Sequence, residues 1–299
     1  MSGPATVVAV AGTPHLVQDL VSLTKPRIIS LLLVTTVAPM FVAGTPSWSL
    51  VLFVSLGGYL MAGGANAVNM YLDRDIDDRM ARTRLRPIPS GRMAPAAVLA
   101  FGIALATAAT WLLAAFVNLP AAALALAGFY CYVFVYTRWL KRTSPQNIVI
   151  GGAAGAFPPL VGWVAVTGKL DLMAALLFLI VFYWTPPHFW ALALLKQRDY
   201  TKAGVPMAPI VWGERETMDQ MVWYTIILVA LTLLPVATGS LGVAYLACAL
   251  ALGSWLLRGV WRVRQASDWT GPAWSVYKYS LLYLALLFVA MVADRRLFA

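Results

Sequence analysis

The stretch that decides the fold covers residues 50–78 and reads LVLFVSLGGYLMAGGANAVNMYLDRDIDD. Its first part, Leu50–Met70, is long enough to cross the hydrocarbon core of a bilayer, which takes about 20 apolar residues. Its end carries Asn69, Asp73 and Asp77 at intervals of four residues. Residues four apart lie on the same face of a helix, roughly 6 Å from one another. The pattern therefore predicts a polar group at one end of a membrane span.

The composition of the whole chain agrees with a polytopic membrane protein. Its 299 residues are 61% hydrophobic and only 11% charged. Because unpaired backbone groups are not tolerated in lipid, apolar segments of this length are predicted to be helices, which makes the fold all-α. We predict nine such segments, with the approximate bounds Ile28–Ala43, Leu50–Met70, Pro95–Val117, Leu119–Val135, Ile148–Val166, Leu172–Leu194, Met221–Thr238, Leu241–Leu257 and Val276–Ala293.

The remaining segments are short, and none resembles a linker between domains. We therefore expect one transmembrane domain over residues 23–299, preceded by a flexible cytoplasmic tail over residues 1–22. The start of the chain has neither a basic leader nor a long apolar core, so no cleaved signal peptide is predicted. Three loops on one side are long, and function is expected there: Leu72–Ala94, Thr137–Asn147 and Lys196–Gln220.

The basic residues indicate which side of the cell membrane these loops face. With the N-terminus inside, nearly all Lys and Arg residues fall on the cytoplasmic side, and only Lys169, Arg295 and Arg296 fall outside. Short loops rich in Lys and Arg remain cytoplasmic. The net charge of +10 thus reflects topology, and since no soluble domain presents the basic residues, nucleic acid is not an expected partner.

The spacing of Asn69, Asp73 and Asp77 permits two interpretations. The acids could cap a helix end beside a basic loop. Alternatively they could hold Mg²⁺, which prefers carboxylate oxygens together with the phosphates of a substrate. The surroundings favour the second interpretation, because a run of arginines suited to diphosphate oxygens follows within one loop. These arginines are Arg79, Arg82, Arg84, Arg86 and Arg92.

Two residues of the sixth segment and the loop after it are further candidates. Asp199 follows the end of the segment, and could be a second cation ligand or an interfacial ion-pair partner. His188 is the only histidine inside a predicted span. It could be a packing residue, although ionisable groups in membrane segments are often functional.

Glycines and prolines are concentrated in the fifth segment, where Gly151, Gly152, Gly155 and Gly162 lie near Pro158 and Pro159. Such small residues favour tight contact between helices. They could instead leave room for a large flat or chain-like ligand against bare backbone.

At these residues the chain resembles the intramembrane prenyltransferase superfamily of the UbiA type, whose signature is N-x-x-x-D-x-x-x-D followed by an arginine-rich loop. The resemblance is closer to the heme O synthases, the protoheme-farnesylating branch. It is carried by the runs Leu23–Arg27, Arg82–Pro87, Leu140–Gly152, Ala154–Trp163, Pro186–Trp190, Asp199–Met207 and Lys278–Ser280. One departure concerns the second motif of many members, D-x-x-x-D, because Ala203 stands four residues after Asp199.

The resemblance implies nine helices around a central cavity, farnesyl diphosphate as donor, heme B as acceptor and Mg²⁺ as cofactor. It implies catalytic and metal-binding roles for Asn69, Asp73, Asp77 and Asp199. Diphosphate is expected to bind Arg82, Arg86, Lys141 and Lys202, and heme to bind His188. Membrane lipid surrounds the helices, and the enzyme that acts next in heme maturation is a candidate partner.

Two other functions remain open. One is prenyl transfer to an aromatic quinone precursor or another tetrapyrrole, which the donor motif alone does not distinguish. The other is an ion-coupled transporter. The position of the acids argues against a transporter, because transporters usually bind ions near the bilayer midplane.

Overall fold

The computed structural model describes residues 16–297. The described chain is helical, and its elements follow in this order: α1 (Leu16–Thr24), α2 (Pro26–Ala43), α3 (Trp48–Leu72), α4 (Arg74–Arg79), α5 (Pro95–Phe116), α6 (Leu119–Tyr130), a π-helical segment (Cys131–Leu140), α7 (Lys141–Thr143), α8 (Asn147–Gly151), α9 (Ala153–Thr167), α10 (Leu172–Leu195), α11 (Gln197–Ala203), α12 (Ala208–Val211), α13 (Glu214–Ala237), α14 (Val243–Gln265) and α15 (Thr270–Leu297).

Nine helical stretches between residues 16 and 297 are long and apolar enough to span a membrane. Each predicted segment coincides with one of them, so the prediction of an all-α, multi-pass membrane protein is confirmed. Two spans are composite: α6 continues through the π-helical segment into α7, and α8 joins α9. The expectation of a central cavity stays a prediction.

The predicted tail differs from the structure in its second half. Residues 1–15 lie outside the described part of the chain, but Leu16–Ser22 belong to α1. This helix packs against α3. The Arg92 guanidinium lies 3.0 Å from the Asp19 carboxylate, and Leu23 is fully buried. The predicted boundary after residue 22 therefore falls inside an anchored helix.

The three long loops are also more helical than predicted. The first contains α4, and the third contains α11, α12 and the start of α13. In the second, only residues 144–146 separate α7 from α8. The sequence prediction followed hydropathy, which marks where the lipid core ends, whereas a helix continues as long as its backbone groups are paired.

Packing places the chemically interesting ends together. The helices α2, α9, α10 and α15 form the middle of the bundle, with α2 packed on α9 and α15, and α10 on the same two helices. The start of α2 lies beside the end of α3, since Lys25 bonds to Asn69. Its other end receives a hydrogen bond from Arg296 at the Gly44 carbonyl. Lys25 and Arg296, one from each of the two predicted groups of basic residues, thus lie at opposite ends of α2.

Candidate active site

Asn69, Asp73 and Asp77 lie at the junction between α3 and α4. The helix α3 ends at Leu72, and Asp73 connects it to α4. Backbone hydrogen bonds of helical type nevertheless cross the junction, from the Asp73 N–H to the Asn69 carbonyl (2.9 Å) and from the Asp77 N–H to the Asp73 carbonyl (2.8 Å). The Asn69 amide also donates to Asp73 Oδ2 at 2.8 Å. The motif keeps its helical register, as its spacing predicts.

Asp73 and Asp77 each have one cationic partner within hydrogen-bond distance. Lys141 Nζ lies 2.5 Å from Asp73 Oδ2, and Arg86 Nη1 lies 2.6 Å from Asp77 Oδ2. The two aspartates are 0% and 1% exposed. Removing a charge from water is costly, so a carboxylate this deeply buried requires such a partner. The structure thereby brings two of the four predicted diphosphate-binding residues into contact with the predicted metal ligands.

The second oxygen of each carboxylate is left without a donor. Asp73 Oδ1 and Asp77 Oδ1 are buried and have no hydrogen-bond partner in the described chain. The Arg142 guanidinium is 3.8 Å from Asp73 Oδ1, too far for a hydrogen bond. Buried polar atoms are rarely left unpaired. Two orphaned carboxylate oxygens on neighbouring side chains are the type of donor set that fits Mg²⁺.

Lys25, which the sequence prediction did not assign to the site, reaches the same group from the start of α2. Its Nζ donates to the amide oxygens of Asn66 and Asn69, each at 3.2 Å. Burial, with Arg86 and Lys141 nearby, lowers the pKa of Lys25 to about 7, although Asp77 and Asp73 act in the opposite direction. Burial therefore disfavours the charged form of this amine in the ligand-free protein.

The backbone of Lys25 is in the left-handed region, with φ 56°. It is the only non-glycine residue between 16 and 297 with positive φ. Such a conformation is uncommon and persists where the surroundings hold it. Lys25 also precedes Pro26, which disfavours a helical conformation at this position. The sequence signal was thus limited to a lysine before a proline, which does not indicate where its side chain points.

The π-helical segment positions two residues of the site. Thr137 accepts a hydrogen bond from the Asn69 amide at 3.1 Å and donates to the Tyr132 carbonyl at 2.8 Å. Lys141 follows directly at the end of the segment. Winding with more residues per turn changes the direction of every later side chain, and π-helical turns are frequent at functional sites. Nothing in the apolar pattern of this span signals the change.

Two predicted site residues lie farther out on α11. Asp199 is partly buried and Lys202 is exposed, and neither forms an ion pair among the described residues. The helix α11 packs against α4, which places both at the same end of the bundle as Asp77. No group of three or more His, Cys, Asp or Glu side chains gathers as a metal site in residues 16–297. The predicted inclusion of Asp199 among the metal ligands remains a prediction.

Arg82 is exposed on the loop after α4, and its position is revealed by Tyr200. Burial raises the pKa of Tyr200, and Arg82 and Lys141 both act to lower it. The phenol is therefore within electrostatic range of both cations. The role of Arg82 in binding diphosphate remains a prediction.

His188 lies apart from the carboxylates, inside α10. Its ring is stacked between Trp184 and Tyr277, with centroids 4.5 and 4.8 Å away. Its Nδ1 is 2.7 Å from Ser280 Oγ, and that hydroxyl donates to the Tyr277 carbonyl at 2.9 Å. With the single hydroxyl proton directed to the Tyr277 carbonyl, Nδ1 is the donor towards Ser280. The lone pair of the neutral ring is then on Nε2.

The packing around His188 limits how its ring could contact a ligand. Both faces of the imidazole are covered by aromatic side chains, so the ring has no face left to lie against a flat ligand. The lone pair is then on Nε2, and neutral histidine ligates metals through the nitrogen that carries the lone pair. Stacking of the ring on heme conflicts with this arrangement, and the role of His188 in heme binding remains a prediction.

The comparisons with known proteins define the class. The model of the UbiA prenyltransferase family matches residues 31–282. This match covers most of the chain, including the carboxylate motif, and the chain therefore belongs to the UbiA prenyltransferase family.

Curated relatives include protoheme IX farnesyltransferases. One from Roseiflexus sp. (strain RS-1) is 58% identical over 99% of this chain, and one from Gloeobacter violaceus is 52% identical over 92% of this chain and 91% of its own length. The chain spans about half the length of the Roseiflexus and Chloroflexus aurantiacus relatives, 56% and 48%.

Solved structures share the fold at low sequence identity. A digeranylgeranylglyceryl phosphate synthase structure superposes with a TM-score of 0.77 at 18% identity, covering 93% of this chain and 98% of that one. A UbiA homolog from Archaeoglobus fulgidus, bound to DMAPP and Mg²⁺, superposes with a TM-score of 0.64 at 14% identity, covering 91% and 99%. At such identities the likeness establishes the fold alone.

Proposed function

We propose that this protein transfers a farnesyl group from farnesyl diphosphate to a vinyl group of heme B, with addition of water, and releases heme O and diphosphate. The observation that carries the proposal is the buried pair Asp73 and Asp77. Each has one oxygen without a hydrogen-bond partner and one cation within hydrogen-bond distance. Its specificity for heme is supported by relatives named protoheme IX farnesyltransferase that are 52% identical over nearly their whole length.

The donor half of the reaction follows from the carboxylate end of the bundle. Asn69, Asp73 and Asp77 would hold Mg²⁺, which when bound supplies positive charge to a diphosphate leaving group. Lys141 and Arg86 neutralise the carboxylates in the ligand-free protein. Both can turn towards phosphate oxygens when the carboxylates are neutralised otherwise, since ammonium and guanidinium groups bind phosphate strongly. Arg82, Lys202 and Asp199 would complete the rim.

The proposed reaction adds the farnesyl chain and the oxygen of water to the two carbons of one vinyl group. The bond between C1 of the farnesyl chain and the diphosphate oxygen breaks, and its electron pair leaves with diphosphate. The terminal vinyl carbon of heme forms a bond to C1. The remaining vinyl carbon then takes the oxygen of water, which loses a proton and becomes a hydroxyl group. Charge develops on the leaving oxygens, where preorganised cations lower the barrier.

On the acceptor side, His188 would ligate the heme iron through Nε2. The Ser280 hydrogen bond fixes the tautomer that makes this possible, and a hydrogen bond to the other ring nitrogen commonly orients a metal-binding histidine. His188 lies seven residues before the end of α10, which is about 10 Å along the helix axis. Heme would therefore enter the bundle from the end that carries the carboxylates.

Replacement of His188 by alanine is expected to weaken heme B binding on the order of tenfold, because an axial ligand is lost. The KM for farnesyl diphosphate should change by less than about twofold, as the carboxylates are untouched. Binding is measured by titration in the heme absorption band. Added imidazole should restore part of the affinity in the variant; weaker diphosphate binding with unchanged heme binding would exclude an acceptor role.

Replacement of Lys25 by methionine is expected to raise the KM for farnesyl diphosphate about tenfold. A charge-assisted hydrogen bond in a partly buried site is worth about 1.5–3 kcal/mol. Arg27→Met is the matched control, because Arg27 is exposed two residues away and its removal changes the net charge equally. Its KM should stay within about twofold of wild type. Equal effects of the two substitutions would show that only overall charge matters.

The function itself is tested by mass analysis of heme extracted from membranes with and without the protein. A product heavier than heme B by one farnesyl group and one water is expected. Turnover of a hydroxybenzoate or another tetrapyrrole in its place would support the alternative prenyltransferase, and solute uptake into vesicles without prenyl transfer would support a transporter. The acids lie at a bundle end, which disfavours the transporter.

The orientation of the protein in the membrane is part of the proposed function. The end of the bundle that carries Lys25, Lys141 and the loop after α4 would face the cytoplasm, because Lys and Arg are concentrated there. Farnesyl diphosphate would then bind from the cytoplasm with its chain among the helices, which spares about 0.8 kcal/mol per CH₂ of exposure to water. A following heme-maturation enzyme would receive the product within the same membrane.

A further inference from the structure

A second group of cations lies around Trp274, which is connected to His188 through Tyr277. The ammonium groups of Lys196 and Lys278 both approach the Trp274 ring, at 5.7 and 5.9 Å from its centroid. Lys196 caps the end of α10, and Lys278 and Trp274 lie one turn apart on α15. Neither lysine forms an ion pair with an acid in residues 16–297. Two like charges therefore converge on one indole ring without a counter-ion.

Aromatic contacts connect this group to His188. Trp274 meets Tyr277 edge to face, with centroids 5.7 Å apart, and Tyr277 stacks on His188 with centroids 4.8 Å apart. This series of contacts leads from the two lysines to His188 along one face of α15 and the adjacent end of α10. Lys196 lies at the end of α10, and His188 lies about two turns earlier in the same helix.

Heme has a matching distribution of charge. It is an apolar disc with iron at its centre and two propionate carboxylates on one edge. A ligand held at its iron by His188, with its polar edge directed towards the bundle end, would present two negative charges on the side where the two lysines lie. Attraction of this kind orients a ligand as well as binding it.

We propose that Lys196 and Lys278 bind the two propionates of the heme acceptor, and thereby determine which edge of the macrocycle faces the membrane boundary. This inference rests on the proposed function. It assigns the two lysines to substrate orientation, so that a vinyl group on the opposite part of the disc points into the bundle. Trp274 would hold both side chains in place, since an aromatic face attracts ammonium groups.

The test compares heme B with its dimethyl ester, in which both propionates are neutral. The double variant Lys196→Gln/Lys278→Gln should bind heme B about tenfold more weakly than wild type, as expected for two partly exposed charge pairs. Wild type should prefer heme B over the ester by a similar factor, and the double variant should have lost this preference. The KM for farnesyl diphosphate should not change in either protein.

The control is Arg258→Gln/Arg262→Gln, which removes two exposed cations from α14 at the same end of the bundle. It should bind both hemes as wild type does. The proposal is overturned if wild type binds heme B and its ester equally, or if the control loses heme affinity as much as the lysine variant. The proposed function fails separately, when wild type binds heme but forms no farnesylated product.

Discussion

Replacement of Asp73 or Asp77 by asparagine is expected to lower the rate of farnesyl transfer by about 10²–10³-fold. Loss of one group that stabilises charge in a transition state typically has an effect of this size. Asparagine keeps the size of the side chain and one acceptor oxygen, but removes the negative charge that attracts a divalent cation. Both carboxylates are buried, and each has one oxygen without a hydrogen-bond partner in the described chain. Product formation is measured at increasing Mg²⁺ concentration.

The matched control is Asp78→Asn. Asp78 is the residue after Asp77 in α4, but it is exposed. Its substitution removes the same charge from the same helix and should leave the rate within about twofold of wild type. Because loss of a buried charge also affects stability, the amount of each variant in the membrane is measured in parallel. A wild-type rate in Asp73→Asn at saturating Mg²⁺ would refute the metal-binding role.

The fold was largely predictable from hydropathy because the bilayer imposes it. Nine apolar segments of about 20 residues admit few other structures, and all nine spans were found near their predicted bounds. The errors concern polar ends. Residues Thr137–Thr143 were predicted as a loop but complete a helical span, because hydropathy does not register a helix that continues beyond the apolar core.

From residue spacing, the candidate site was predictable only where one helix carries it, whereas Arg86 and Lys141 were assigned through the family resemblance. Asn69, Asp73 and Asp77 share a register that survives the junction at Leu72, so their spacing was informative. Lys25 joins them through the packing of α2 against α3, a contact between residues 41 and 44 positions apart in the chain. Lys141 reaches Asp73 after a π-helical segment. Tertiary contacts and irregular winding of this kind leave no periodic signal in the sequence.

Two groups of cations in the protein suit two polar ligand parts. One group contacts the buried carboxylates and matches a metal-bound diphosphate. The other surrounds Trp274 and matches a dicarboxylate. Between them the helices are apolar, as required for a farnesyl chain and a porphyrin. Separate polar anchors would let both substrates enter from one side of the membrane while their reacting carbons meet inside the bundle.

Replacement of Gly162 by alanine is expected to destabilise the protein more than any other glycine substitution in α9. A Cβ at this position would overlap the backbone carbonyl oxygen of Thr36 in α2. A backbone atom of a packed helix cannot rotate away as a side chain does. The cost is expected to exceed the usual range for overpacking, about 1–3 kcal/mol. Thermal unfolding in detergent and the amount of protein in the membrane measure the effect.

The same helix provides the control, Gly155→Ala, because a Cβ at Gly155 would meet no atom within 4 Å. This pair also separates the two interpretations of the glycine-rich segment. Gly162 serves close contact between helices, as small residues commonly do in membranes, whereas Gly155 borders open space. Alanine at 155 should leave stability unchanged within about 0.5 kcal/mol. Because alanine favours a helix more than glycine does, helix propensity cannot produce a loss. Equal loss of stability in the two variants would therefore show that contact with α2 does not explain the effect at Gly162.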